Sequence, residues 1–260
     1  MEPDRIVLIL ASLFFLGGFG YAAYTLGAGK TRNSRFNMAA IMAGFALQNV
    51  FLYLRGQQVG RCPITNVFEI LIFVSWATVL LYFLVGPTYR LSLLGVFTAP
   101  LAFVFQLAAL VLPSGFEKPV KLDGEADFWL EIHASVSLLA YGAFALACVA
   151  GLMFIIQDRL LKRHTLNTLF YNLPPINHLA KATLRLLVLG FVLLTFGIAS
   201  AYGMEKDPSG LKLSMSYSVW ALYGVLLAVT FFRGLSPNRV AQAAVGVFAV
   251  PIFTLWIVSS

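Results

Sequence analysis

Eight stretches of this chain are apolar for long enough to cross a lipid bilayer, over about 6–27, 37–54, 67–86, 91–112, 129–156, 184–203, 216–232 and 240–258. A span needs about 20 apolar residues, because the hydrocarbon core is about 30 Å thick and a helix rises about 1.5 Å per residue. Inside lipid each backbone N–H and C=O must be paired within the protein, which leaves helices as the way to span. The sequence therefore predicts an all-α, polytopic membrane bundle of about eight transmembrane helices, a single membrane domain over 1–260. Composition agrees: 60% of residues are hydrophobic, 11% are charged, and the mean hydropathy is +0.85. A soluble domain carries about 25% charged residues. Breakers separate the spans at Gly86-Pro87, Pro113 and Pro174-Pro175, while Pro100 and Pro251 fall inside spans as candidate kinks.

The formal charge of +7 is distributed over loops with no nucleic-acid patch. One alternate set of loops carries 11 Lys and Arg, namely Lys30, Arg32, Arg35, Arg90, Arg159, Lys162, Arg163, Lys181, Arg185, Arg233 and Arg239. The other carries 7, namely Arg5, Arg55, Arg61, Lys118, Lys121, Lys206 and Lys212. Cytoplasmic loops are the richer in Lys and Arg. The expected topology, in a bacterial inner membrane, has both termini and the loop at 114–128 outside and the basic loop 157–183 inside. The start, MEPDR and then apolar residues, lacks a basic n-region and a small-residue cleavage site and is expected to be a retained first helix. Cys62 and Cys148 make no disulfide framework; the first is expected in an outer loop and the second inside a helix.

His133 is the histidine that enters an apolar segment, WLEIHASVSLLAYG, just after an acidic loop. Ser137 and Tyr141 follow at i+4 and i+8, so a polar stripe runs down one helix face. Ionisable groups inside membranes are expensive and face cavities or partners. A neutral imidazole there serves equally as a metal ligand, for instance to haem iron, or as an interfacial histidine bonded to a neighbouring helix. Glu131 alone of the nearby acids is placed to touch this site. His164 and His178 fall on the cytoplasmic side.

Asn66 and Glu69 open the third span and share a face, in the manner of a capping box. A carboxylate entering the bilayer also needs a partner, for which Arg55 and Arg61 are the nearby candidates. Cys62, with no second cysteine in reach, is expected to be inert. Gln48, Asn49 and Gln106 are expected to hydrogen-bond between helices. No phosphate loop, zinc spacing or nucleophile–histidine pairing is present, so the chain is expected to be no enzyme.

Three segments resemble one family in order and spacing. CPITNVFEILIFVSW resembles the P-x-S-N-x-x-E … F-x-x-W opening of the CcsA-type cytochrome c assembly proteins. IHASVSLLAYGAF resembles their external-histidine helix, and LRLLVLGFVLLTFGIASA the helix that follows it. The resemblance covers about the last two hundred residues and is strongest over 61–235. It implies a helical bundle that handles haem at the outer membrane face and delivers it to apocytochrome c, with His133 as the first external haem-ligating histidine. The family's tryptophan-rich external loop, W-x-W-D-P-K-E-x-W, is degenerate here. Aligned on Trp220 it falls on KLSMSYSVW, with Met215 at the aspartate position. The family's next histidine falls on Arg233, and its last would lie beyond Ser260. Such a pattern resembles the HemX- and YpjD-like branch.

The resemblance implies a haem-handling assembly component working with protein partners, with His133, Ser137, Tyr141, Met215 and Trp220 as candidate haem contacts. Met215 is the preferred second axial ligand, with Met204 beside it in the same outer loop. The alternatives are a HemX-like membrane regulator of tetrapyrrole synthesis acting through loop 157–183, and a haem-free structural subunit of a membrane complex.

Overall fold

The structure, a computed structural model, describes residues 3–27, 34–85, 94–112, 127–163, 175–204 and 210–259. Each expected span is helical: α1 (Pro3–Gly27), α2 (Ser34–Val59), α3 (Val67–Val85), α4 (Leu94–Val111), α5 (Phe128–Lys162), α6 (Ile176–Ala201) and α7 (Gly210–Arg233). The last stretch is divided at Phe248 into α8 (Pro237–Val247) and α9 (Ala249–Ser259). Pro251 stands in the first turn of α9, where its missing N–H costs no helical bond. Six helices, α1–α3 and α5–α7, are long and apolar enough to cross a membrane; α4 contributes a shorter apolar run over Phe97–Val111. The protein is thus a polytopic all-helical membrane bundle. No strand occurs among the described residues. Of the expected features, Gly86-Pro87, Pro113, His164 and the lysines at 118, 121 and 206 lie outside the described residues.

Two bundles of contacts organise the chain. In the first, α1 pairs with α2 and α4, and α3 with α4. Leu8, Phe51, Phe68, Ile72 and Ala109 bury a small core there. In the second, α5 lies along α6 for most of its length and also meets α3 and α8. Small residues allow this approach. A Cβ on Gly190 would stand 2.5 Å from the Phe144 ring, so the glycine lets Phe144 cross α6 and stack on Tyr223 of α7, with centroids 3.6 Å apart.

Element ends differ from the apolar runs where polar residues extend a helix beyond lipid. α6 starts at Ile176, well before the apolar run at 184, because its first turns are amphipathic. Leu179 and Ala182 are buried there, while Lys181 and Arg185 are exposed. α2 runs on through Arg55 to Val59 and stops at Gly60, whose φ of +78° suits glycine and whose N–H bonds the Gly56 carbonyl at 2.8 Å.

That extension moves Arg55 from an outer loop into the interior, where it is 1% exposed. Arg55 Nε donates to Glu69 Oε1 at 2.8 Å, and Nη1 pairs with Asp4 Oδ2 at 3.2 Å. The guanidinium also lies over the Phe68 ring at 5.6 Å from its centroid. One charged cluster thereby ties α1, α2 and α3 together at a single depth.

Candidate functional site

The N-terminus of α5 and the C-terminus of α6 lie together, since the two helices run antiparallel. Asp127 caps α5, its Oδ1 accepting from Trp129 N at 2.9 Å and Leu130 N at 3.3 Å. Glu131 follows in the first turn, where the helix dipole favours an acid. His133 then falls on the face turned to α6, and its Nδ1 is 2.7 Å from the Gly197 carbonyl oxygen. A carbonyl only accepts, so Nδ1 carries the proton, and a neutral ring presents its lone pair at Nε2. Among the described residues, no hydrogen-bond partner engages that nitrogen. The bond ties α5 to α6, and it leaves Nε2 as the nitrogen available to a further partner.

Gly197 is central. Its carbonyl accepts from Ser200 Oγ at 2.7 Å as well as from His133. A Cβ there would lie 2.4 Å from Ser137 Oγ, so with serine at 137 the glycine lets α5 come this close. Ser137 Oγ is itself buried with no hydrogen-bond partner. His133 and Ser137 therefore share one small polar patch against the end of α6, and the Trp129 ring closes over Gly203 beside it.

Tyr141 and Trp220 make their contacts elsewhere. Tyr141, about 12 Å deeper along α5, pairs its hydroxyl with Thr254 of α9 at 3.3 Å. Trp220 donates from Nε1 to Thr195 Oγ1 at 2.9 Å and stacks on Phe191. Thr195 and Gly197 are about 200° apart around α6, so Trp220 and His133 occupy opposite sides of that helix. Met215 is half-buried in the second turn of α7, and no hydrogen bond among the described residues joins it to His133. Met204 lies at the end of α6, its N–H on the Ala201 carbonyl. Tyr202 of α6 and Tyr217 of α7 share a hydroxyl–hydroxyl hydrogen bond near this end.

On the side of α5 away from His133, the Cys62 N–H donates to Glu131 Oε1 at 3.3 Å, and its Sγ lies 3.7 Å from Ser135 Oγ. Burial pushes the thiol above its ordinary pKa, the Ser135 hydrogen bond partly offsets this, and the Glu131 and Glu69 charges raise it further. Glu69 Oε2 accepts from both Thr65 N and Thr65 Oγ1 at 2.8 Å. Asn66 Oδ1 accepts from Glu69 N at 2.9 Å and so caps α3. Sequence reasoning singled out neither Gly197, Ser200 nor Asp4. The small residues of FGIASA mark a close approach, but not what approaches.

The bundle defines a membrane protein in which a histidine ties one end of the α5–α6 pair. By sequence the chain belongs to the Cytochrome C assembly protein family, which it matches over residues 64–203. The match ends before the degenerate stretch at 212–220. Similar proteins include Protein HemX of Brevibacillus brevis, 26% identical over 75% of this chain and 73% of that protein. Cytochrome c biogenesis protein CcsA of a Synechococcus species is 30% identical over 66% of this chain and 50% of its own length. The CcsA of Prochlorococcus marinus is 25% identical over 97% and 89%. The chain thus spans about half of the Synechococcus relative.

Proposed function

We propose that this protein handles haem at the outer face of a bacterial inner membrane during cytochrome c assembly, in company with partner proteins, and catalyses no metabolic reaction itself. Family membership supports the assembly role, and the His133–Gly197 hydrogen bond carries the haem reading. His133 Nε2 would be the nitrogen offered to the cargo iron, and Ser137 is the polar neighbour on the same patch. Met215 is the preferred second ligand, because His/Met ligation is ordinary for haem. When bound, haem would bring the iron centre and vinyl groups that thioether attachment requires. The chain's own task is to hold the iron and fix the imidazole tautomer.

The test is reconstitution of the purified protein with haem, read by absorption. His133→Ala is expected to abolish a specific Soret shift, and Met215→Leu to convert a low-spin spectrum to high-spin. A spectrum indifferent to His133→Ala would leave a structural subunit without haem. The similarity to HemX, extending over three-quarters of this chain, supports a second reading. In it the protein is a membrane regulator of tetrapyrrole synthesis working through its basic loop 157–183. Co-purification with a soluble cytoplasmic partner, lost on neutralising Arg159 and Lys162, would favour that reading.

A further inference from the structure

Each of the first four helices places one buried polar side chain at the same depth: Ser12 on α1, Gln48 on α2, Ser75 on α3 and Gln106 on α4, exposed by 4%, 0%, 0% and 0%. The level lies about 10 Å inward from the Asp4–Arg55–Glu69 cluster, seven residues along α2. Hydrogen bonds join the layer in two halves. Gln48 Nε2 donates to Ser75 Oγ at 2.8 Å, and Ser75 Oγ donates to the Ala102 carbonyl at 3.1 Å. Ser12 Oγ stands 2.6 Å from Gln106 Oε1, with Gln106 one turn outward of Ala102 on the same face of α4. One atom in each half, Gln48 Oε1 and Gln106 Nε2, is buried with no hydrogen-bond partner.

One is an acceptor and the other a donor, on two helices in contact with each other, and both atoms are shielded from bulk water. Leaving both unpaired costs free energy at each atom. We propose that Gln48 and Gln106 together bind one water molecule, which donates to Gln48 Oε1 and accepts from Gln106 Nε2. Water fits more closely than a cation, since the Gln106 amide turns a donor toward the position. It also tolerates either amide orientation. Ser12 Oγ has one proton and a second acceptor in the Leu8 carbonyl at 2.9 Å, so the Gln106 amide can turn over. A water then donates to both oxygens. With the water bound, the layer is one continuous hydrogen-bonded belt across α1–α4, and a slip of any helix by one residue breaks it.

The experiment is a double-mutant cycle on the full-length protein in detergent, with thermal unfolding as readout, together with a density map at a resolution that shows waters. Gln48→Met and Gln106→Met keep the side-chain length. Each is expected to lower Tm, and the double variant to lose less than the sum of the two, because both remove the same bridging molecule while each also breaks its own bond, to Ser75 or to Ser12. The map is expected to show a peak within 3.5 Å of both amide groups. Additive losses, or a single substitution that raises Tm by removing an orphaned amide, would overturn the proposal. So would a map in which the two amides bond each other directly.

Discussion

Glu69 shows how much one side chain can carry. It accepts from Arg55, from Thr65 N and from Thr65 Oγ1 while fully buried. Glu69→Leu would remove the carboxylate that Arg55 Nε bonds, and breaking one side of a buried pair costs about 3–5 kcal/mol. Glu69→Gln keeps an acceptor for Thr65 and should retain most of the fold; thermal unfolding in detergent distinguishes the two. A leucine variant as stable as the parent would mean that the cluster contributes nothing. Cys62 gives a pH prediction. Its thiol sits above the ordinary 9.0, so less thiolate is present at pH 8 than on a free cysteine. Maleimide labelling of a Cys148→Ser protein should still be accelerating as pH passes 9; a plateau below that would contradict the burial. The need of Glu69 for a polar partner was legible in the sequence, because an unpaired carboxylate in lipid is costly. The choice of Arg55 over Arg61 was not, since it turns on α2 continuing past the apolar run, and a hydropathy window ends where the charge begins.

Among the elements, the α5–α6 pair is decisive, and Gly197 is its tightest point. Gly197→Ala should destabilise by about 1–3 kcal/mol through overpacking and should displace His133 from its carbonyl. The obstacle is the Ser137 hydroxyl, whereas Ser137 backbone atoms stand at 3.3 Å and beyond from the added methyl. Ser137→Ala in the same chain should therefore recover most of the loss, measured as Tm. Failure of that rescue would place the strain in the backbone instead. Helices α1 to α7 could be read from apolar length and breakers alone. The division of the last stretch at Phe248 could not, for Pro251 announces a bend without its position. The partnership of His133 with Gly197 also escaped, because it joins residues 64 apart in the chain.

On the scale of the molecule, the orientation expected from Lys and Arg is open to test, and the burial of Arg55 removes one cation from the poorer set. Reporter fusions after Lys162 should read cytoplasmic and fusions after Lys121 external. A cytoplasmic signal from the Lys121 fusion would reverse the bundle and carry His133 to the other face. Helix α5 links the two faces. It has 35 residues, contains no proline, and at about 1.5 Å per residue is roughly 52 Å long against a core of about 30 Å. His133 stands near one end; near the other, Asp158 binds Asn238 of α8 and Lys162. Between them Gly142 rests on Ala77 of α3. Gly151 against Ala241 of α8 and Ser137 against Gly197 of α6 pin the same helix on either side of that contact. The separation of His133 from Asp158, 25 residues or about 38 Å along the axis, is therefore fixed by one uninterrupted helix held at both ends.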